Sequence, residues 1–182
     1  MERLNIAEKN HQDWFGGPYF SDQQYDPEFE EIVRKFLCGD VLVHGTLSNV
    51  QRALVMLTAL TASQTWKPLS KYVLAALDMG AAPEEIKETL YQCAPYIGVE
   101  KVKCAFYTRG TLDLKMRELV TFCAICCLGG CEPQAKAHAG ANLSVGNTRE
   151  MLIEAITQCL PFIGFPRTLN AISCINEVTA EK

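Results

Sequence analysis

Tyr91-Gln-Cys-Ala-Pro-Tyr-Ile-Gly98 and Thr157-Gln-Cys-Leu-Pro-Phe-Ile-Gly164 are two versions of one short stretch, and they lie 66 residues apart in the chain. The same offset aligns residues 74–80 with residues 140–146, and both of these segments end in glycine. Self-similarity at a fixed period indicates tandem structural units. The chain is therefore predicted to be an internal repeat.

The repeat extends further upstream with a small change of register. Residues 47–60 match residues 112–125 at an offset of 65, so the second copy has one extra residue, near Gly129-Gly130. We expect residues 47–106 and 112–174 to superimpose as two copies of one helical unit.

Three parts of the chain follow from this alignment. Residues 1–25 are predicted to be an N-terminal arm, residues 26–106 the first, degenerate repeat, and residues 107–182 the second repeat with the candidate site. The arm is predicted to be irregular because aromatic residues surround a Gly-Gly-Pro stretch at 16–18, and these aromatics are expected to dock on the body of the protein. They are Trp14, Phe15, Tyr19 and Phe20. One extra helix is predicted near residues 26–38.

Helix start and stop signals recur in both copies. Ser48-Asn-Val-Gln51 is a capping box, and Asp113 is the N-cap at the equivalent place. Pro83 suits the first position of a helix, and Gly80 and Gly146 suit its C-terminal end. Sustained alternation and hairpin-turn dipeptides are absent from the sequence. The predicted fold class is all-α, a tandem repeat of one helical unit.

Composition excludes several classes of function. The 182 residues have a net charge of −4 and no basic block, which argues against binding to nucleic acid or to an anionic membrane. The longest uncharged runs, 53–66 and 119–131, are shorter than the ~20 apolar residues of a membrane span. No signal peptide is visible after Met1, although a cleaved one would leave no trace.

The chain has nine cysteines, and several lie inside apolar runs. Free cysteines in such runs behave as small hydrophobic residues. This usage is typical of a reducing cytoplasm, so we predict a cytoplasmic protein in which few cysteines do chemistry.

Residues 119–128 have no charged side chain over almost three helical turns. A helix that is apolar on every side is buried on every side. Because a chain of this size can hardly surround one helix, we expect burial in an obligate homo-oligomer.

The candidate site lies around the Gly129-Gly130 turn. Glu118 precedes the turn by about ten residues and His138 follows it by about eight, so an antiparallel helix hairpin places both at nearly one level. Cys131, Gln134 and His138 follow i, i+3, i+7 spacing and share one stripe of the second helix. Cys131 is also at the start of that helix, where free amides and the dipole favour a thiolate. One small cavity is expected to hold all four side chains.

Each of these residues also has a structural interpretation. A lone His in an apolar helix is usually a hydrogen-bonded core residue, and a Glu early in a helix is usually solvated. A zinc site built from Cys126, Cys127, Cys131 and His138 lacks paired CxxC knuckles and is disfavoured. The CxxC at 123–126 lies mid-helix in an apolar run, which favours packing. We expect no metal and no cofactor.

At these residues the sequence resembles the carboxymuconolactone decarboxylase family, which includes the alkyl hydroperoxidase D-like proteins. The resemblance covers about residues 28–178 as two copies. It rests on four stretches of the second copy, together with Leu169-Asn-Ala171. The four are Leu112-Asp-Leu-Lys-Met-Arg-Glu-Leu-Val-Thr121, Leu128-Gly-Gly-Cys-Glu-Pro-Gln-Ala-Lys-Ala-His138, Asn142-Leu-Ser-Val-Gly146 and Pro161-Phe-Ile-Gly-Phe-Pro166.

The resemblance implies an all-α fold, and for a two-copy member it implies a trimer that imitates the hexameric rings of single-copy members. It also implies a proton-relay site matching Glu118 and His138, with Cys131 in the place of the first cysteine of a helix-start CxxC. Gln134 stands where the second cysteine is expected, which weakens a dithiol mechanism. In the first copy Ala53 replaces Glu118, Tyr72 falls opposite His138, and Trp66 lies near the place of Cys131. One site per chain is therefore expected.

Three functions remain open at this point. The first is a thiol-dependent peroxide reductase, in which Cys131 attacks a peroxide, Glu118 and His138 move protons, and a second thiol resolves the sulfenic acid. The expected partners are a peroxide substrate and a thiol electron donor, and Gln134 is expected to contact the substrate. The second is a cofactor-free decarboxylase or isomerase acting on a small carboxylated lactone. The third is a non-catalytic oligomer that binds a small molecule.

Overall fold

The structure, a computed structural model, describes residues 2–16, 26–99, 102 and 112–180. The helices in chain order are α1 (Glu2–Phe15), α2 (Pro27–Arg34), a π-helical segment (Lys35–Val41), α3 (Asn49–Ala62), α4 (Leu69–Asp78), α5 (Pro83–Ile97), α6 (Leu114–Leu128), α7 (Glu132–Ser144) and α8 (Arg149–Ala180). These described ranges include no strand, and the predicted all-α class is confirmed. None of the helices that the structure describes is long and apolar enough to cross a membrane.

The chain forms two compact units, Met1–His44 and Gly45–Lys182. The three-part division with boundaries after residues 25 and 106 stays a prediction. Two of the aromatic residues assigned to the arm, Tyr19 and Phe20, lie outside the described residues.

In the first unit, the predicted irregular arm is wrong over residues 2–15, which form α1. Ala7, His11 and Trp14 are buried, and their spacing places them on one face of the helix. The amide of Asn10 donates to the Cys38 carbonyl at 2.7 Å. Charged and amide residues fill most other positions of α1, which concealed this short apolar face in the sequence.

The extra helix predicted near residues 26–38 is present as α2 and the π-helical segment that continues it to Val41. Asp26 is the N-cap, and its carboxylate accepts from the backbone amides of Glu28 and Phe29 at 2.8 and 3.2 Å. Pro27 fills the first helical position, where a missing N–H costs nothing.

In the second unit, the predicted caps are confirmed. The Ser48 hydroxyl accepts from the Gln51 amide at 3.2 Å, while the Gln51 side chain accepts from the Ser48 amide at 2.9 Å. The Asp113 carboxylate accepts from the Met116 amide at 2.7 Å. These caps begin α3 and α6, which are the first helices of the two predicted copies.

The helix ends also follow the predicted pattern. Gly80 and Gly146 have φ of +94° and +89° after α4 and α7, a conformation that glycine adopts without steric cost. Gly98 ends α5, and its equivalent Gly164 breaks α8 with φ of +74°. In the second copy α6, α7 and the part of α8 before Gly164 thus match α3, α4 and α5, and α8 continues to Ala180.

The uncharged helix α6 is buried within the single chain. Every residue from Leu119 to Cys127 is buried, because α3, α5, α7 and α8 all pack against α6. The inference that only an oligomer can cover this helix is therefore wrong. The equivalent helices α3 and α6 pack against each other, so each copy buries apolar surface that the other copy would otherwise expose.

The two copies cross each other reciprocally. Helix α5 of the first copy packs on α6 of the second, and α8 of the second packs on α3 of the first. Glu88 of α5 accepts from the Leu112 amide at 2.7 Å. Its equivalent, Glu154 of α8, accepts from the Thr46 and Leu47 amides at 2.7 and 2.9 Å. A carboxylate in the last helix of each copy thus binds the amides that precede the first helix of the other.

Each of these carboxylates also has an arginine from the other copy. Arg117 forms an ion pair with the buried Glu88. The equivalent Arg52 is buried and is attracted to Glu154. Burial lowers the pKa of Arg52, and the Glu154 carboxylate opposes that shift.

Candidate active site

The α6–α7 hairpin brings Glu118 and His138 into contact. Nδ1 of His138 lies 3.0 Å from Oε2 of Glu118, and the two side chains are 30% and 23% exposed. The predicted meeting of these side chains at one level of the hairpin is confirmed. The pair is partly sheltered and partly open to solvent, which suits a group that exchanges protons with a substrate.

The contact fixes the chemistry of the imidazole. An ionised carboxylate only accepts hydrogen bonds, so Nδ1 of His138 carries the proton that it donates to Glu118. The other ring nitrogen, Nε2, is then the basic atom. A carboxylate that holds the tautomer of an imidazole in this way prepares the imidazole for general acid–base work.

Two asparagines link α6 to α7 by hydrogen bonds near the Glu118–His138 pair. The amide of Asn142, which is fully buried, donates to the Glu118 carbonyl at 2.9 Å and to the His138 carbonyl at 2.8 Å. Asn147 donates to Oδ1 of Asn142 at 2.7 Å and to the Lys115 carbonyl at 2.9 Å. Because these bonds join α6 to α7, they fix the distance between the carboxylate and the imidazole.

Tyr96 of α5, in the first copy, completes this site in the second copy. Its ring meets the His138 imidazole edge to face, with centroids 6.2 Å apart and an interplanar angle of 88°. The reciprocal pair is Tyr72, the equivalent of His138, against Phe162, the equivalent of Tyr96, with centroids 5.5 Å apart at 79°. Our sequence analysis missed Tyr96, although the repeat alignment places Tyr96 and Phe162 at one position.

Cys131 is the N-cap residue of α7 and follows the Gly129-Gly130 turn, in which both glycines have positive φ. It is the only partly exposed cysteine among the described cysteines, since the others are buried. Cys131 lines a small cavity of about 20 Å³ together with Cys126 of α6 and Cys174 of α8. Three thiols from three helices therefore surround one space that is large enough for a single water-sized group.

Arg167 adds a positive charge to this cavity. Its Nη1 donates to the Cys127 carbonyl at 2.9 Å, which ties the guanidinium to the C-terminal end of α6. A Cβ added to Gly129 would lie 3.1 Å from Nε of Arg167, so a glycine leaves room for the guanidinium at the turn. Arg167 and Cys131 therefore line one cavity at the start of α7. The sequence analysis did not find Arg167, because it lies 36 residues after Cys131.

The site differs from the expectation of one shared cavity. The cavity that Cys131 lines does not include Glu118, Gln134 or His138. Cys131 faces α8, whereas His138, seven residues along α7, faces α6 and Tyr96. Seven residues rise by about 10 Å in a helix, so the residues of one predicted stripe form two centres, one at the start and one in the middle of α7. Gln134 is exposed between these centres.

A family model describes the same architecture. The model of the carboxymuconolactone decarboxylase family matches the chain twice, over residues 27–107 and 102–177. The chain belongs to the carboxymuconolactone decarboxylase family. The two adjacent matches agree with a two-copy member, as the resemblance indicated. No curated protein matches the chain.

This family member has the polar residues around the Glu118–His138 pair in its second copy only. Positions equivalent to Glu118, His138 and the two asparagines that link α6 to α7 are apolar or aromatic in the first copy. They are Ala53, Tyr72, Ala76 and Ala81, and all four are buried. None of the four hydrogen-bonding residues has a polar equivalent of its own type in the first copy. The first copy therefore has buried packing residues at the positions where the second copy has the candidate site.

Three buried thiols of this family member, Cys93, Cys126 and Cys159, have a raised pKa. Burial raises the pKa of Cys93 and of Cys126, with a further contribution from neighbouring thiols. Hydrogen bonds to Cys123 and Cys127, together with burial, raise the pKa of Cys159. These three side chains are packing residues in the reduced protein, as the apolar runs predicted.

Two further observations bear on ligands. A larger cavity of about 470 Å³ lies between the starts of α3 and α6 and is lined by Gln51, Leu54, Lys115 and Leu119, among others. It contains neither member of the Glu118–His138 pair. Within the described part of the chain, no group of three or more His, Cys, Asp and Glu side chains is arranged to hold a metal ion.

Proposed function

We propose that this carboxymuconolactone decarboxylase family member is a thiol-dependent peroxide reductase in which Cys131 is the attacking thiol. The observation that supports this function is the cavity at the start of α7. There a partly exposed thiol, two further cysteines and the guanidinium of Arg167 meet. Reduction of a peroxide by a cysteine proceeds through the thiolate and needs an accessible sulfur with room for the reacting oxygen.

The first step balances as follows. Sγ of Cys131 attacks the outer oxygen of the hydroperoxide, the O–O bond breaks, and the departing alkoxide takes a proton from solvent to become an alcohol. Cys131 is oxidised to a sulfenic acid, and the peroxide is reduced by two electrons. Two equivalents of a thiol donor then return Cys131 to the thiol, releasing water and a disulfide of the donor.

The test compares peroxide consumption by the reduced wild type with that by Cys131→Ser, using dithiothreitol as the donor. We expect Cys131→Ser to lose the activity and to lose the adduct that the sulfenic-acid reagent dimedone forms with the wild type. Ala137→Ser, at an exposed position of the same helix, is the matched control and should keep both. Undiminished peroxide turnover in Cys131→Ser would refute the proposal.

The Glu118–His138 pair supports a second candidate, a cofactor-free decarboxylase or isomerase acting on a small carboxylated lactone. The specific observation is the 3.0 Å contact, which leaves Nε2 of His138 as a base about 10 Å from Cys131 along α7. An imidazole so placed can remove a proton from carbon and return it elsewhere, which lactone isomerisation and protonation after decarboxylation both require.

A panel of carboxylated muconolactones, followed by ultraviolet absorbance, distinguishes the two candidates. If the second is right, Glu118→Gln and His138→Gln should lose lactone turnover by about 10²–10⁴-fold, and Cys131→Ser should keep it. If both assays are blank, the third hypothesis, binding of a small molecule without catalysis, takes the lead. The cavity between α3 and α6 is then the first place to search for the ligand.

A further inference from the structure

We propose that Cys174, on α8, is the thiol that resolves the sulfenic acid of Cys131, so that the two form an intramolecular disulfide in each catalytic cycle. This inference rests on the proposed peroxide reductase function. It assigns the resolving role to the part of α8 that follows the break at Gly164.

The geometry places Cys174 beside Cys131. Sγ of Cys174 lies 3.8 Å from the carbonyl oxygen of Glu132, the residue that follows Cys131. Both thiols line the cavity of about 20 Å³, and Cys174 is only 2% exposed while Cys131 is partly exposed. A peroxide from solvent therefore has access to Cys131, and the sulfenic acid formed there shares its cavity with the buried thiol of Cys174.

The backbone around Cys131 allows the approach that a disulfide requires. Cα atoms of a disulfide lie about 4.4–6.8 Å apart, so one residue must be able to adjust. Cys131 follows Gly129 and Gly130, with φ of +73° and +69°, and is itself outside the regular part of α7 with φ of −124° and ψ of 37°. The conformational freedom of these two glycines allows the backbone at Cys131 to adjust when the disulfide forms.

Cys126 lines the same cavity but is less suited to the role. Burial and the neighbouring thiols, which include Cys131 and Cys174, all raise its pKa. At Cys174 burial also raises the pKa, and Glu177 and Glu132 add to this, but the ammonium of Lys136 acts in the opposite direction. Lys136 forms an ion pair with Glu177, which keeps its charge near α8. Lys136 therefore limits the rise in the pKa of Cys174, whereas every contribution at Cys126 raises the pKa.

The resolving step balances without a further reagent. The sulfur of Cys174 attacks the sulfur of the sulfenic acid, the S–S bond forms, and the S–O bond breaks. The departing hydroxide takes the proton of the Cys174 thiol and leaves as water. One hydroperoxide and two thiols thus give one alcohol, one water and one disulfide, and a dithiol donor reduces the disulfide through a mixed-disulfide intermediate.

The size of the cavity also limits the substrate. A space of about 20 Å³ accommodates one oxygen-sized group, so the carbon skeleton of an organic hydroperoxide stays outside. We therefore expect hydrogen peroxide and hydroperoxides of unbranched primary chains to be the better substrates. Tertiary hydroperoxides place three carbons next to the reacting oxygen and should be poor substrates.

The linkage can be mapped on the intact wild-type protein. Trypsin cuts after Arg117, Lys136 and Arg167, so Cys131 and Cys126 lie in peptide 118–136 while Cys174 lies in peptide 168–182. Reduced, oxygen-free protein is treated with one equivalent of hydrogen peroxide, alkylated and digested without reductant. We expect peptide 118–136 to be joined to peptide 168–182 through Cys131. A disulfide between Cys131 and Cys126 would instead remain within peptide 118–136 and would overturn the inference.

Single-cysteine variants, combined with dimedone labelling of the sulfenic acid, distinguish failure of this inference from failure of the proposed function. Cys174→Ser should lose the joined peptides and accumulate the dimedone adduct on Cys131, whereas Cys126→Ser should still form the joined peptides. Disappearance of the Cys131 sulfenic acid at the wild-type rate in Cys174→Ser would refute the resolving role alone. Absence of any dimedone adduct on Cys131, in the wild type and in Cys174→Ser alike, would refute the peroxide reductase and the resolving role together.

Discussion

Removing the carboxylate of Glu154 tests whether its bonds to the first copy stabilise the packing of the two copies against each other. Glu154 is 7% exposed and accepts from the Thr46 and Leu47 amides at 2.7 and 2.9 Å, and it faces the buried Arg52. A Cβ at Gly45 would lie 2.1 Å from the Glu154 carboxyl carbon, so the carboxylate sits directly against the backbone. Glu154→Ala leaves two amides without their acceptor and the Arg52 guanidinium without its opposite charge. Breaking a buried charge pair costs about 3–5 kcal/mol.

This loss is large enough to measure easily. For a chain of this length about 1 kcal/mol shifts the melting temperature by 2–4 °C, so Glu154→Ala should melt about 6–20 °C lower. Urea unfolding at a fixed protein concentration gives the free energy directly. Glu150→Ala, an exposed position in the first turn of the same helix, is the matched control and should cost under about 1 kcal/mol.

A double variant checks the reasoning. If Arg52 is destabilising once Glu154 is gone, Arg52→Met should cost less in the Glu154→Ala background than in the wild type, with a coupling of about 0.5–3 kcal/mol. A loss below about 1 kcal/mol for Glu154→Ala, or strictly additive effects of the two changes, would show that the carboxylate does not hold the copies together.

Three further predictions concern the site, the thiols and the assembly. Tyr96→Leu should lose about 0.5–1.5 kcal/mol of stability and shift the NMR resonances of the His138 ring, whereas Tyr96→Phe, which keeps the edge-to-face pair, should change neither. Above pH ~8.5 an unfolded chain loses thiol protons that the native chain keeps at its buried cysteines, so the free energy of unfolding should fall by about 1.4 kcal/mol per thiol per pH unit. These thiols are Cys93, Cys126 and Cys159. A flat urea-unfolding profile between neutral pH and pH ~9.5 would contradict this. We also predict a homotrimer of two-copy chains, and light scattering that shows a stable monomer at micromolar concentration would refute it.

Local signals predicted much of the fold. The caps at Ser48 and Asp113 and the helix-ending Gly80 and Gly146 need only neighbouring residues to act, so the sequence is enough to find them. The contact between Glu118 and His138 was also predictable, because a two-glycine turn and the rise of a helix fix the level of residues on both arms of a hairpin.

Contacts between distant segments were not predictable in the same way. Tyr96 reaches His138 because α5 of one copy crosses α6 of the other, and the repeat alignment gives equivalence without giving that crossing. Rotation about the helix axis was the second source of error. Cys131 and His138 share a stripe by spacing, but Cys131, as an N-cap residue outside the helix, turns toward α8. A position at a helix end does not obey helical periodicity.

The pattern of loss in the first copy follows from which contacts cross between copies. Ala53, Tyr72, Ala76 and Ala81 replace a carboxylate, an imidazole and two amides that hydrogen-bond almost entirely to one another and to nearby backbone. Removing such a set as a whole leaves no unpaired buried polar group, so it costs little.

The residues that join the copies cannot be replaced at low cost, because their partners lie in the other copy. Glu88 satisfies an amide of the second copy, and Arg52 neutralises a carboxylate of the second copy, so a change at either leaves a buried charge or donor unpaired elsewhere. The first copy can therefore lack the site residues, but it must keep the residues that bond to the second copy, Glu88 and Arg52. This explains why a helical unit without a site still supplies Tyr96 to the one site that remains.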